Sequence, residues 1–218
     1  DEWIDRTQPE EQQASAWEVV SRAWVDRLRE CLGPGYRVRE TNNFLILSEA
    51  SDRVAKDMAL SLEEALRQIL KHLDTAASDE GDGKHVVLVF TGQDDYYSYI
   101  SHFYPDGEHP MSGGVCLTAG GYIHFAVPLG DYSQYRTILT HELTHAVLAH
   151  LPIPLWLNEA LAMRMEELVC GTRNFTLDRE LYGRHASYWN EATIQEFWSG
   201  RSWGIPGESF ELSYHLAQ

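Results

Sequence analysis

The chain is poor in cysteine, in basic residues and in long apolar runs. Its 218 residues include three cysteines, Cys31, Cys116 and Cys170, and none of them belongs to a CxxC pair. Cysteines so few and so widely spaced argue against a cysteine zinc site and against a disulfide framework, and they favour a reducing compartment such as the cytoplasm. The chain begins at Asp1 rather than at a methionine, so the sequence does not show whether a signal peptide preceded it.

The scarcity of positive charge and of apolar runs limits the partners. Seventeen lysines and arginines face 33 acidic residues, which gives a formal net charge of −16. This balance argues against nucleic acid or an anionic membrane surface as the main partner, because both need a basic surface. The longest apolar run, "VVLVF", has the length of a strand and is far short of the roughly 18 residues that span a bilayer. No membrane span is therefore expected.

The pattern of apolar residues predicts that strands are confined to the first part of the chain, among helices, and that the last part is helical. Helical spacing predicts helices over residues 10–31, 51–73, 132–150 and 156–169. Strands are predicted in "YRVRE" and "NFLILSE", which form a hairpin, in "HVVLVF", and on both sides of Gly120-Gly121. Segregated strands and helices favour an α+β fold. We expect an N-terminal α+β part over residues 1–151 and a helical C-terminal part over residues 152–218.

Two histidines lie four positions apart in the predicted helix 132–150. The side chains of His141 and His145 therefore share one helix face, with Cβ atoms about 5–6 Å apart, and both imidazoles can reach one Zn²⁺ ion at about 2.0–2.1 Å. Glu142 projects about 100° further round the helix. From there it can hydrogen-bond a water on the open side of the metal, which is the position of a general base. The alternative is an ordinary amphipathic helix whose histidines face solvent or the core.

A catalytic zinc site needs a third protein ligand besides its water. Glu159 lies near the start of the next predicted helix, beyond a break that contains Pro152 and Pro154. If this helix turns back antiparallel, its first residues come close to the end of the histidine helix. We therefore expect Glu159 to complete the site. Zinc held there would lower the pKa of water and polarise a carbonyl group.

The two segments together resemble a known family. "LTHELTHAVL" followed by "PIPLWLNEALA" resembles the gluzincin branch of zinc metallopeptidases, and most closely the small peptidase-MA-like families, in which a "WLNEGLA" segment follows HExxH. The resemblance covers the two helices closely and the upstream strands loosely. It implies a zincin-like fold, in which a small mixed or antiparallel sheet packs on the HExxH helix. It also implies zinc bound by His141, His145 and Glu159, with Glu142 as the base that hydrolyses a peptide or protein substrate.

Two positions depart from the family pattern. Ala160 stands where the family usually has glycine, and Met163 stands where many members have an acidic residue that orients the first histidine. Support for His141 must then come from elsewhere, and loss of such support typically weakens metal affinity or activity 10–100-fold. The second reading is therefore a zincin-fold binding or scaffold protein with weak or no catalysis. The pattern leaves cleavage specificity, endo- or exopeptidase action and oligomeric state open.

The resemblance suggests further candidates around the metal. Tyr214 follows Glu159 at a distance similar to that of the tyrosine that stabilises the oxyanion in several gluzincins, and His215 is the neighbouring alternative. The segment "GYIHFAVPL", just before the histidine helix, resembles by position the edge strand on which such enzymes lay a peptide, although a plain core strand fits it equally. His124 within it could face the cleft.

A serine motif competes with the metal motif. "GRSWG", residues 200–204, fits the GxSxG pattern of serine hydrolases. That pattern is meaningful where a strand precedes the serine and a helix follows it. Here a helical stretch precedes Ser202 and "IPG" follows, so we expect the match to be accidental.

Overall fold

Helices cover both faces of a mixed sheet. The structure is a computed structural model, and it describes residues 4–5, 7–79, 83–104, 113–119, 122–130, 132–172 and 176–218. The elements of this part of the chain are, in order, α1 (Glu10–Leu32), β1 (Arg37–Glu40), β2 (Phe44–Ser48), α2 (Asp52–Leu73), β3 (His85–Phe90), α3 (Gln93–Ile100), β4 (Val115–Ala119), β5 (Tyr122–Pro128), α4 (Tyr132–Leu148), α5 (Leu155–Met165), α6 (Arg179–Tyr188), α7 (Glu191–Trp198) and α8 (Glu208–Ala217). The predicted α+β class is confirmed.

The five strands of the described chain form one sheet in the order β1-β2-β3-β5-β4. The outer pairs, β1 with β2 and β4 with β5, are antiparallel. The inner pairs, β2 with β3 and β3 with β5, are parallel. Helix α2 makes the crossover that a parallel β2–β3 pair requires. The predicted hairpin and the pair of strands around Gly120-Gly121 are therefore confirmed, although these two glycines lie outside the described residues.

Each face of the sheet carries its own apolar core. Alternate residues of β2 point to opposite faces, so Phe44 and Ile46 pack under α2 and α4, whereas Leu45 and Leu47 pack under α1 and α3. The inner strands are consequently buried on both sides. This explains why β2 and β3 appear in the sequence as continuous apolar runs rather than as an alternation of apolar and polar residues.

Helix α4 lies against the sheet through one stripe of side chains. Leu139, Leu143 and Val147, spaced four apart, are each at most 3% exposed in the core shared with α2. On another side of the helix, Ile138 approaches the start of β4. A Cβ atom added at Gly114 would collide with the Ile138 side chain, so glycine lets the strand backbone come close to the helix. This close approach sets one wall of the cleft described below.

Strand β5 is not an edge strand. It lies between β3 and β4, and β4 forms the edge of the sheet. The strand that precedes β5 in the chain therefore lies outside it in the sheet. His124 of β5 also does not face the cleft. Its side chain is 1% exposed, its Nε2 atom lies 2.8 Å from the hydroxyl oxygen of Tyr99, and its ring packs against Trp24. Burial in this core lowers the pKa of His124 to about 3, so it is a neutral core residue.

The serine of the GxSxG match is structural. Ser202 follows α7 rather than a strand and lies in a short 3-10 helix. Its side chain is fully buried, and Ser213 of α8 donates a hydrogen bond of 2.7 Å to its hydroxyl oxygen. The hydroxyl of Ser209 donates to its carbonyl oxygen. These contacts hold α8 in place, and a hydroxyl so enclosed cannot attack a substrate.

Candidate metal centre

Helix α4 presents both motif histidines on the side away from its core stripe. The rings of His141 and His145 lie 4.7 Å apart, centroid to centroid, at an interplanar angle of 81°. They are neighbours because the helix repeats every 3.6 residues, so residues four apart stack one above the other. The prediction that the two side chains share one face is therefore confirmed.

Helix α5 brings Glu159 to the two rings. The chain leaves α4 after Leu148, and α5 begins after Pro154, whose extended backbone cannot continue the previous helix. The carboxylate of Glu159 lies with one oxygen 3.3 Å from Nε2 of His141 and the other 3.6 Å from Nε2 of His145. One ligand atom from each of the three residues falls within 4.8 Å of the others. Glu159 therefore lies beside both histidines, as the sequence led us to expect.

A second carboxylate, which the sequence reasoning missed, lies behind His141. Oε1 of Glu166 is 2.6 Å from Nδ1 of His141. Glu166 opens a π-turn, Glu166–Cys170, that continues α5. It follows Glu159 by seven residues, which is about two helical turns, so both carboxylates lie on the same helix face. The support for His141 that Met163 cannot provide therefore comes from Glu166. The spacing of seven residues between Glu159 and Glu166 was the feature of the sequence that could have indicated this.

The contact with Glu166 determines how His141 presents its ring. The carboxylate of Glu166 accepts a hydrogen bond from the N–H at Nδ1, so Nε2 is the nitrogen that faces Glu159 and His145. Burial opposes a charge on His141, but Glu159 and Glu166 outweigh it and raise the pKa of His141 to about 10. Binding of a cation at Nε2 would consequently release a proton at neutral pH.

The variant Glu166→Gln tests this support. An amide keeps the shape of the side chain but loses the charge that orients and polarises the ring. We expect the zinc affinity to fall about 10–100-fold, as is typical for partners of metal-bound histidines, measured by competition with a chromogenic chelator. Glu167→Gln is the matched control, because Glu167 pairs with Arg164 at the surface. Equal affinities of the two variants would show that Glu166 does not act on the metal.

Glu142 lies beside the three candidate ligands without joining them. Its carboxylate lines the same cleft and lies near the backbone N–H of Cys116 in β4. Burial raises the pKa of Glu142 above its ordinary value, and the neighbouring charge of Glu159 adds to this, although His141 and His145 oppose it. A carboxylate beside the three candidate ligands, in the same cleft, suits a group that must take up and release a proton.

Tyr214 reaches the site from α8, as the sequence suggested. Its ring packs edge-on against Trp203 and Phe210, with centroids 4.7 and 4.9 Å away. Its hydroxyl lies near Glu159, and burial together with the nearby carboxylates of Glu159 and Glu142 raises the pKa of Tyr214. It is therefore a neutral phenol and a donor. His215, the alternative, does not line the cleft; its ring lies 6.1 Å from that of His185 on α6.

These groups share a cleft of about 760 Å³. Its walls come from the start of β4, from the histidine face of α4, from the first turns of α5 and from α8. The side chains of His141, His145 and Glu159 are only 12–16% exposed, so the polar groups lie at the bottom of the cleft. This size and this mixture of apolar walls with a few polar groups are typical of a site for a small ligand or a segment of peptide.

The three candidate ligands fit a zinc ion. Two ligands at about 2.0–2.2 Å from a tetrahedral ion lie about 3.3–3.6 Å apart, and the carboxylate oxygens of Glu159 lie 3.3 and 3.6 Å from the two imidazole nitrogens. Within the described chain, Oε2 of Glu159 is buried without a hydrogen-bond partner, which a bound cation would satisfy. Two imidazoles and one carboxylate form a donor set that zinc favours.

Comparisons with protein-family models, with curated proteins and with solved structures found no match to the chain. Among the described helices, none combines the length with the apolar character that crossing a membrane requires. The interpretation of the site therefore depends on its own geometry.

Proposed function

We propose that the chain is a zinc-dependent peptidase of the gluzincin type. One observation carries the proposal: two histidines of one helix and a glutamate of the next direct their ligand atoms to within 4.8 Å of one another, with a further carboxylate, Glu142, in the same cleft. A structural role for these histidines would not require three carboxylates, those of Glu142, Glu159 and Glu166, partly buried around them, because charges are costly to bury without a purpose or a partner.

The roles of the residues follow from their positions. His141, His145 and Glu159 would hold zinc, which when bound lowers the pKa of water towards about 7 and polarises the scissile carbonyl. Glu142 accepts the proton of the attacking water and then delivers it to the leaving amine. The phenol of Tyr214 donates a hydrogen bond and can stabilise the developing oxyanion once substrate draws it away from Glu159.

The position of β4 favours a peptide as substrate. Val115, Cys116 and Thr118 of this edge strand line the cleft. Within the described residues, β5 is the only strand that pairs with β4, so the other edge of β4 can bind an extended chain through main-chain hydrogen bonds. An extended peptide on this edge would pass beside Glu142, which lines the cleft together with Cys116.

The alternative function is a zincin-fold binding protein without turnover. The residue that motivated it is Met163, which cannot orient His141. Glu166 occupies that role at 2.6 Å, so the departure at Met163 no longer favours an inactive protein. The two functions share the metal and differ in whether peptides are cleaved.

Metal analysis combined with an activity assay tests the proposal. The protein purified without chelators is expected to contain one zinc per chain, to cleave members of a mixed peptide library, to lose activity on dialysis against a chelator, and to regain it with zinc. Element analysis and mass spectrometry of the cleaved library give the two readouts. Protein that contains no stoichiometric zinc and does not take it up would contradict the metal site, and zinc-bound protein that cleaves none of the library would support the binding protein.

A further inference from the structure

We propose that the cleft takes a peptide with a bulky apolar side chain, which packs on an apolar rim formed by Leu155, Trp156 and Trp198. The inference rests on the proposed peptidase function, but it names a class of substrate that the metal ligands do not select.

The rim is an apolar, partly exposed surface that adjoins the cleft at Leu155. Leu155 is 43% exposed and Trp198 is 48% exposed. Leu155, the first residue of α5, also lines the cleft, one helical turn before Glu159. Contiguous exposed apolar side chains on a water-soluble fold mark sites of interaction. Because Leu155 belongs to both the rim and the cleft, a chain bound over the candidate metal ligands would pass beside the rim.

The rim is held rigidly by the residues beneath it. The rings of Trp156 and Trp198 meet edge-on with centroids 5.1 Å apart, and both contact Phe197, which is 1% exposed. The backbone after α7 lies against Leu155, since a Cβ atom at Gly200 would be 3.4 Å from Cβ of Leu155. A preformed surface loses little conformational entropy when a ligand packs on it, so the rim can discriminate between side chains.

The charges in the cleft disfavour an acidic side chain. Glu142, Glu159 and Glu166 line it, and none of the described lining residues is a lysine or an arginine. A divalent cation would offset only part of this negative charge. An acidic side chain of the substrate would therefore be repelled, whereas an apolar one would lose no charge interaction and would gain contact with the rim.

Peptide binding and cleavage measured in parallel test the inference. Hexapeptides whose other residues are uncharged carry Phe, Leu, Ala or Asp at each position in turn. Binding is measured by calorimetry to zinc-loaded Glu142→Gln protein, and cleavage is measured with the wild-type chain. At one position we expect Phe and Leu to bind about tenfold more tightly than Ala, near the lower limit for discrimination by an apolar pocket, and Asp to bind more weakly than Ala.

Two substitutions in the rim identify the surface responsible. Leu155→Ser and Trp198→Ser, each made in the Glu142→Gln background, should reduce the preference for Phe over Ala to about twofold or less. Leu60→Ser is the matched control, because Leu60 is 61% exposed on α2, away from the cleft, and it should leave the preference unchanged. Both rim positions are exposed, and unchanged melting temperatures confirm that each variant is folded.

The outcomes of these measurements test the apolar rim and the peptidase function separately. An apolar preference that both rim substitutions remove supports the rim, even if the wild-type chain cleaves no peptide, in which case only the peptidase function fails. Cleavage without an apolar preference, or with a preference that survives both substitutions, overturns the rim and leaves the peptidase function standing. If no peptide is bound and none is cleaved, both proposals fail.

Discussion

Replacing Glu142 with glutamine is expected to lower kcat of the zinc-loaded protein by about 10²–10⁴-fold, the usual contribution of a general acid–base group. Glutamine preserves the length and shape of the side chain, so it can occupy the position of Glu142 in the cleft. It cannot accept and return a proton. Steady-state cleavage of the best library peptide gives the measurement, with zinc content determined on the same samples.

The zinc content of the Glu142→Gln variant distinguishes loss of catalysis from loss of the metal site. Glu142 is not one of the three residues whose ligand atoms converge, so the variant should keep one zinc per chain and bind peptides with little change in affinity. Glu180→Gln is the matched control on the exposed surface of α6 and should retain full activity. A Glu142→Gln protein with wild-type kcat would show that another group takes the proton.

Replacing His145 with alanine is expected to abolish stoichiometric zinc binding. The variant removes one of three protein ligands, so its affinity should fall by more than the 10–100-fold typical of residues that only support a ligand. A ligand that binds only the folded state stabilises it by about 4 kcal/mol at a concentration 1,000 times its Kd. Zinc should therefore raise the melting temperature of the wild-type chain but leave that of His145→Ala almost unchanged.

His150→Ala provides the control for this experiment. His150 lies just beyond α4, is exposed, and does not line the cleft. Its removal should change neither the zinc content nor the thermal shift. If His145→Ala binds zinc as tightly as the wild-type chain, then His145 is not a ligand, and the proposed centre must be assembled from other residues.

Short-range geometry was predictable from residue order. His141 and His145 share a face because of the helical period alone, and the spacing of the apolar residues of α4 indicates that period. The inner strands β2 and β3 were equally predictable, because each is a continuous apolar run in the sequence. The second helix was expected to return Glu159 because two prolines leave a short break, and a short break makes antiparallel neighbours.

Strand position was harder to predict because it depends on pairing between distant segments. Nothing in "GYIHFAVPL" shows whether this strand has a neighbouring strand on one side or on both. Its position in the chain resembled that of an edge strand, but β5 pairs with both β3 and β4. His124 was misplaced for a related reason. A strand alternates faces, but the sequence does not say which face meets α4, and His124 lies on the opposite one.

The most instructive difference concerns Glu166. A family pattern directed attention four residues beyond Glu159, where Met163 is buried in the core, whereas the partner of His141 lies seven residues beyond it. Residue order specifies which side chains share a helix face, because the period of the helix is local. It does not specify which of them meets a side chain on another helix, since that depends on how α5 and its π-turn pack against α4. Local periodicity therefore determined that His141 and His145 share a face, whereas packing between helices determined which carboxylates, Glu159 and Glu166, lie beside them.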